Sequence, residues 1–330
     1  MRLLVLGGTV FLSRAVAVAA LEAGHEVTVT SRGRSGSVPR GARHVVLDRD
    51  AELPAALVAE SFDAVVDVAR TPSWVRRAVA AWPEAHWVFV STISVYSDDA
   101  TPGGRPGVTP LHTPRHDDVD LAVDPSAYGP MKVACEEIVL AGTGRALVLR
   151  PGLIVGPGDP SGRFTYWPLR LAEAGDGAPV LVGGAPTDAV QVIDARDLAA
   201  WIVHGLQAGL TGVLDAVGPV TPFGDLLADV ARGVGVDPAR IDWAWLDHAD
   251  LAGRGVEPWA GTRSLPLWLP RPAYDGMLAR DHAPARAAGL EVRPIAATAA
   301  DVLAWARERG ADVVRTGLTR AEEVEVLGAR

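Results

Sequence analysis

Tyr128 and Lys132 stand four residues apart in "SAYGPMKVACEE", the spacing that puts two side chains on one face of a helix. A phenol ordinarily keeps its proton up to a pH near 10, so it trades protons near neutrality only beside a cation that favours phenolate. Lys132 is placed to be that cation. A phenol so tuned can exchange a proton with an oxygen atom of a bound molecule. The hydroxyl-rich run "FVSTISVY" adds Ser91, Thr92 and Ser94, any of which can hydrogen-bond a carbonyl oxygen. A Tyr-x-x-x-Lys pair also arises by chance, so the chemistry depends on the elements that would bring these pieces together.

Those elements read as strands alternating with helices. Leu3 to Leu6 is a buried strand, Phe11 to Ala23 a helix stopped at Gly24, and "HEVTVT", "RHVVLD", "FDAVVDVA" and "AHWVFVS" are further strands. Ser73 to Ala81 is the clearest of the intervening helices. "SAYGPMKVACEEIVLA" is the helix that carries Tyr128 and Lys132, and "RALVLRP" is a sixth strand. The order implies an α/β fold, a doubly wound parallel Rossmann sheet whose carboxyl edge lines the ligand crevice. Ser91, Thr92 and Ser94 fall at that edge. After Pro151 the pattern loosens into the loop "GPGDPSGRF", a helix from about Thr165 to Ala174, and a strand and helix in "VQVIDARDLAAWIVHGL" with Asp194 or Asp197 near the helix start. One more strand, "GVLDAVG", follows, and Thr319 and Glu322 have capping-box spacing. We expect a dinucleotide-binding domain over 1–160 and a smaller mixed α/β cap for substrate over 161–330, with 195–220 packing back on the first domain.

"VLGGTVFLSR" lies where a dinucleotide-binding turn belongs, straight after the first strand. Such a turn uses one glycine to bend, a second to let the pyrophosphate approach and a third for close helix packing. Gly7 meets the first need and Ser13 approximates the third. Val10 departs, with a branched side chain where the backbone should be bare. The free amides and dipole of the helix start remain, and Gly8 and Thr9 add flexibility and a hydroxyl. Gly7, Gly8, Thr9, Val10, Phe11 and Leu12 are therefore the expected cofactor contacts of the turn. The second strand ends in Ser31-Arg32-Gly33-Arg34, without the carboxylate that would accept from an NAD ribose. A guanidinium at Arg32 pairs instead with a 2′-phosphate, so NADP is expected, with NAD as the other choice. Asp48 could meet the adenine edge, and Val68, Ala69 and Ser91 join the expected cofactor contacts at the ends of the fourth and fifth strands.

Taken together, the turn, S-T-x-S-V-Y, Y-G-P-M-K and "LRPGLIVGPGD" resemble the extended short-chain dehydrogenase/reductases, in their NAD-dependent epimerase/dehydratase branch. The resemblance is specific over the first half of the chain and diffuse beyond. The "GGTxF" loop is similar to atypical members, including the chloroplast stem-loop-binding proteins. The resemblance implies that Tyr128 is the general acid/base, that Lys132 binds the nicotinamide ribose and lowers the tyrosine pKa, and that Thr92 orients the substrate. It also implies that Pro151, Gly152, Leu153 and Ile154 border the nicotinamide. Two positions depart from the branch. The 4,6-dehydratases carry Asp-Glu after the catalytic threonine, where this chain has Ile93 and Ser94. Sugar-nucleotide epimerases carry an asparagine where this chain has Leu153, and a leucine cannot hold a diphosphate.

Composition narrows the class further. The 330 residues are 48% hydrophobic and 22% charged, with 35 Gly and 25 Pro spread along the chain, which is an ordinary globular balance. A net charge of −9 with no Lys/Arg block argues against a nucleic-acid partner. The lone Cys135 cannot form an internal disulfide and fits a reducing compartment, and no apolar run reaches membrane-spanning length, so a cytoplasmic protein without a membrane partner is expected. A homodimer is an open expectation. His112, His116, Asp117 and Asp118 sit around Pro114 and read as an exposed loop, so no metal is expected. Cys135 reads as core-facing or inert. Ser94, Arg163, Phe164 and Trp167 join Thr92 as candidate substrate contacts, although the aromatics suit packing equally well. The reading is an NADP-dependent oxidoreductase for the carbonyl or alcohol carbon of a small metabolite. The alternatives are an NAD-dependent sugar or sugar-nucleotide epimerase and, in another class, a nucleotide-sensing or RNA-binding protein on the same fold.

Overall fold

Short apolar runs bounded by turns form parallel strands, and the longer stretches between them form covering helices. The structure, a computed structural model, describes residues 1–174, 177 and 179–328. In chain order come β1 (Arg2–Leu6), α1 (Phe11–Glu22), β2 (Glu26–Ser31), β3 (Arg43–Val46), α2 (Ala55–Val58), β4 (Ala64–Asp67), α3 (Pro72–Ala81), β5 (His86–Val90), α4 (Tyr128–Gly142) and β6 (Ala146–Pro151). Next are β7 (Leu153–Val155), α5 (Tyr166–Ala172), β8 (Pro179–Gly183), β9 (Ala189–Val190), β10 (Val192–Asp194), α6 (Ala195–Ala208) and β11 (Gly212–Ala216). The chain continues with β12 (Thr221–Pro222), α7 (Phe223–Gly233), β13 (Asp242–Leu246), α8 (His248–Gly253), β14 (Glu257–Trp259), β15 (Ser264–Pro266), α9 (Ala283–Ala287), α10 (Ile295–Arg309) and α11 (Arg320–Gly328).

Seven strands make one parallel sheet in the order β11-β6-β5-β4-β1-β2-β3. Successive side chains of a strand point to opposite faces, so both faces are apolar here. Leu3 and Val5 join Val16, Ala20, Leu198 and Ile202 on the α1/α6 face. Leu4 and Leu6 join Val75, Val79, Cys135 and Val139 on the α3/α4 face. Burial pushes the Cys135 thiol up to about 12, which fits the core-facing, inert reading. The strand order reverses between β1 and β4, where a doubly wound sheet opens its crevice.

After β7 the chain visits both layers. Helix α6 packs on α1, and β11 pairs in parallel with β6. Asp194, rather than Asp197, caps α6 by accepting from the Arg196 amide at 2.9 Å, and the helix stops at left-handed Gly209. Most of the remaining elements surround a second core that includes Phe164, Trp167, Val180, Phe223, Leu227 and Trp268. Trp167 meets Tyr166 and Phe223 edge-on, at ring-centroid separations of 5.0 and 5.7 Å. Helix α11 is anchored there by buried Glu323, which binds Arg170 Nε at 2.6 Å and accepts from the Leu181 amide at 2.8 Å. The Glu322 carboxylate accepts from the Thr319 amide at 2.8 Å, completing the capping pair. Among the described residues no helix is long and apolar enough to cross a membrane.

Candidate active site

The carboxyl end of β5 runs into a turn that sets out the hydroxyls. Thr92 Oγ1 accepts from the Ser94 amide at 3.1 Å and donates to Ser94 Oγ at 3.2 Å. Helix α4 then brings Tyr128 alongside. Tyr128 is its first residue, and a helical side chain leans back toward the N-terminus, so the phenol projects from that end. Gly129 makes the approach possible, because a Cβ there would collide with the Ser94 carbonyl oxygen. Thr92, Ser94, Tyr128 and Lys132 all face one cavity of about 560 Å³.

The electrostatics differ from the expectation in one respect. Burial pushes the Tyr128 phenol up, and Thr92, Arg70 and Arg163 pull it back down. Lys132 is buried one turn along the same helix. Its ammonium donates to Ala69 O at 2.8 Å and Val90 O at 2.6 Å and lies 4.6 Å from the Phe89 ring centroid. Burial lowers the lysine itself to about 8. Two loop arginines thus join Thr92 in favouring the phenolate.

The β1–α1 turn forms the other side of the crevice. Gly7 and Gly8 both have positive φ, +121° and +100°. A Cβ on Gly8 would lie 2.5 Å from Val29 Cγ1, so Gly8 belongs to the packing of the turn and lines neither this cavity nor the neighbouring one described below. Ser13 fills the third glycine's place, with Oγ donating to Val10 O at 2.9 Å. Val10 has extended backbone at the helix N-cap and is 42% exposed, standing between the two cavities. The amides of Phe11, Leu12 and Ser13 meet no side-chain cap. A second cavity of about 520 Å³ shares Val10, Ser13 and Val68 with the first and is further lined by Gly7, Thr9, Arg32, Asp48 and Ala69.

Most of the residues expected at the site are thus brought together, with Phe11, Leu12, Ser91 and the run Pro151, Gly152, Leu153 and Ile154 bordering the first cavity. Phe164 and Trp167 are the correction. Both are fully buried in the second core, Trp167 donating its indole N–H to Pro266 O at 3.1 Å, and neither reaches the cavity. Arg163, next to them in the chain, does. Lining residues that were not foreseen include Asp159, Pro160, Ser161, Trp259, Met277 and Leu278. Arg49, Arg70 and Trp74 were likewise missed beside the second cavity, where Arg49 pairs with buried Asp67 at 2.7 Å. The histidine loop runs beside the site without lining the cavity: His112 donates its amide to Val95 O at 2.9 Å, His116 lies 3.2 Å from Glu137, and Asp118 accepts from Ser73. Among the described residues no cluster of His, Cys, Asp and Glu could hold a metal ion.

No protein-family model matches the sequence, and no curated protein matches it either. Solved structures do. The UDP-N-acetylglucosamine 4-epimerase from Bacillus cereus is similar at 17% identity with a TM-score of 0.66, over 93% of this chain and 99% of that one. The Bordetella bronchiseptica enzyme WbmH, solved with NAD+, is similar at 18% identity and a TM-score of 0.61, over 94% and 99%. TunA, an NAD-dependent NDP-hexosamine 5,6-dehydratase of tunicamycin biosynthesis, is similar at 18% identity and 0.64, also over 94% and 99%. At such identities the likeness is one of fold.

Proposed function

Given the fold of the extended short-chain dehydrogenase/reductases and their epimerase/dehydratase branch, we propose that this chain is a nicotinamide-dinucleotide-dependent oxidoreductase acting on the carbonyl or alcohol carbon of a small metabolite. The observation that carries the reading is the convergence of Thr92, Tyr128 and Lys132 on one cavity that adjoins a second across the β1–α1 turn. The residues present suit the cofactor. The uncapped amides of Phe11, Leu12 and Ser13 would hold the pyrophosphate, Arg32 and Asp48 the adenosine end, and Lys132 with 151–154 the nicotinamide end. When bound, the dinucleotide supplies or accepts the hydride. The chain itself positions the substrate oxygen with Thr92 and moves the proton at the Tyr128 hydroxyl, whose phenolate Arg70 and Arg163 favour. Residues 1–160, with 195–220 against them, would form the cofactor domain, and 161–330 the cap over the substrate. NADP is the preferred partner, since Ser31 ends β2 where a carboxylate would select NAD, and Arg32 and Arg70 line the adenosine-side cavity.

A sugar-nucleotide epimerase is the second reading, favoured by the named activities of the structural neighbours. Leu153 weakens it, because that side chain is buried in the second core and offers a diphosphate nothing polar. One experiment separates the readings. Wild type and Tyr128→Phe are titrated with NADPH and NADH, then assayed on small aldehydes and ketones and on UDP-sugars. We expect unchanged cofactor binding by Tyr128→Phe and turnover lower by about 10²–10⁴-fold, the usual contribution of a positioned acid/base. Net consumption of NADPH marks an oxidoreductase, whereas sugar inversion without net consumption marks an epimerase. Near-normal turnover by Tyr128→Phe would remove the tyrosine from the chemistry.

A further inference from the structure

One wall of the first cavity is accounted for by Thr92, Tyr128 and Lys132. The opposite wall contains a cation with no ion-paired or hydrogen-bonded partner. Arg163 makes no ion pair or side-chain hydrogen bond among the described residues, and its Nε is buried with no partner. Its neighbour Asp159 acts on it only through space, its carboxylate being occupied with Ser161, accepting from the amide at 2.8 Å and the hydroxyl at 2.9 Å. Other arginines of this half of the chain are paired: Arg170 with Glu323, Arg271 with Asp275 and Arg280 with Asp99. A desolvated, unpaired guanidinium is costly to the protein unless something else answers its charge.

The mounting of this guanidinium is equally specific. Its Cζ lies 4.5 Å from the centroid of the Trp259 ring. Trp259 has a φ of +72°, a left-handed conformation that a bulky side chain rarely adopts and that only its surroundings can maintain. The Trp259 amide is tied to Trp268 O at 3.1 Å, which helps hold that backbone. Stacking fixes the plane of the guanidinium and leaves its N–H edges for a ligand, in the fork geometry that matches two oxygens of one anion. Met277 and Leu278, on the same wall, offer apolar contact to the rest of a small molecule.

We propose that Arg163, held against Trp259, binds an oxyanion of the substrate, a carboxylate or a phosphate, so that the metabolite presented to Tyr128 is an acid. The inference rests on the oxidoreductase reading of the cavity for the word substrate. Anion binding itself can be tested without turnover. The full-length protein is heated alone and with levulinate, methyl levulinate or inorganic phosphate at matched ionic strength, and the same is done for Arg163→Gln and Arg163→Lys. We expect levulinate or phosphate to raise the melting temperature of the wild type, methyl levulinate not to, and Arg163→Gln to bind that anion about tenfold or more weakly. Arg163→Lys keeps the charge without the fork and should fall between. Whichever anion loses its effect in Arg163→Gln identifies the source. Shifts for both anions that survive in Arg163→Gln, or no shift with either in the wild type, overturn the proposal. In the presence of NADPH, reduction of levulinate by the wild type with a collapsed acid-to-ester preference in Arg163→Gln joins the two readings. Anion binding at Arg163 with no carbonyl reduced would sink the oxidoreductase reading alone.

Discussion

A phenol in this crevice is raised by its own burial, so the cations around it determine whether it can work near neutrality. Arg70 and Arg163 come from loops, carry permanent charge and face Tyr128 from different elements. Lys132 is held by two carbonyl oxygens and is itself lowered to about 8, so it still carries most of its charge at neutrality. At the adenosine end Arg32 is exposed and free to reach a ligand. A charge-assisted contact to a 2′-phosphate contributes about 1.5–3 kcal/mol, or roughly tenfold and more in dissociation constant. Arg32→Ala should therefore weaken NADPH by that factor and leave NADH unchanged, as read by nucleotide fluorescence titration. Equal wild-type affinities for the two would mean that the second strand does not select the phosphate.

At the scale of elements, the β1–α1 turn has redistributed its glycine requirement. Gly8, outside the three motif positions, is the residue that cannot be changed, while Val10, on a motif position, is free. Gly8→Ala should lose about 1–2 kcal/mol for the left-handed backbone and about 1–3 kcal/mol more for overpacking Val29, measured by urea unfolding. Val10→Gly should alter stability by no more than about 0.5 kcal/mol, since glycine is acceptable at an N-cap, and should leave cofactor affinity equal or improved. The six strands of the first half and helix α4 were legible because strands buried on both faces are uninterrupted apolar runs and a helix face is a spacing rule. The cap was less legible for physical reasons. Its strands are as short as two residues, and Trp259 and Met277 reach the cavity from about a hundred residues beyond Arg163 through contacts that no local pattern announces. Phe164 and Arg163 are adjacent, yet one faces the core and the other the cavity, a choice made by how α5 begins.

Across the whole molecule, the sheet and the cap are joined by a buried ionic group. Tyr96 donates to Asp215 Oδ1 at 2.7 Å, Arg150 reaches Tyr96 at 3.0 Å and Glu136 at 2.7 Å, and Arg280 lies over the Tyr96 ring. Burial outweighs these partners and raises Asp215 to about 6. Because the folded pKa lies above the unfolded value of 3.8, the folded state holds the extra proton between those two pH values. That contribution to stability is complete below about pH 4 and is lost as pH rises through about 6. About two pH units at about 1.4 kcal/mol each give a ceiling near 3 kcal/mol. Urea unfolding of wild type and Asp215→Asn from pH 4 to 7 should show the wild type losing stability relative to the variant across that window. A constant difference between them would show that Asp215 ionises as freely folded as unfolded.

The anchoring of α11 has a consequence for how the protein is made. Glu323 supplies the counterion of Arg170 and the acceptor for Leu181 N–H, two groups that leave the ribosome 153 and 142 residues earlier. A chain emerging from its N-terminus can assemble six strands of the main sheet by residue 151 and the seventh by residue 216. The second core must wait, with an arginine and a strand amide unanswered, until Glu323 has been made. Breaking a buried ion pair by removing one partner costs about 3–5 kcal/mol, so Glu323→Ala should leave the second core in this incomplete state. Limited proteolysis should then cut the variant among the elements of the second core before the sheet, whereas uniform resistance would mean that this core closes without α11.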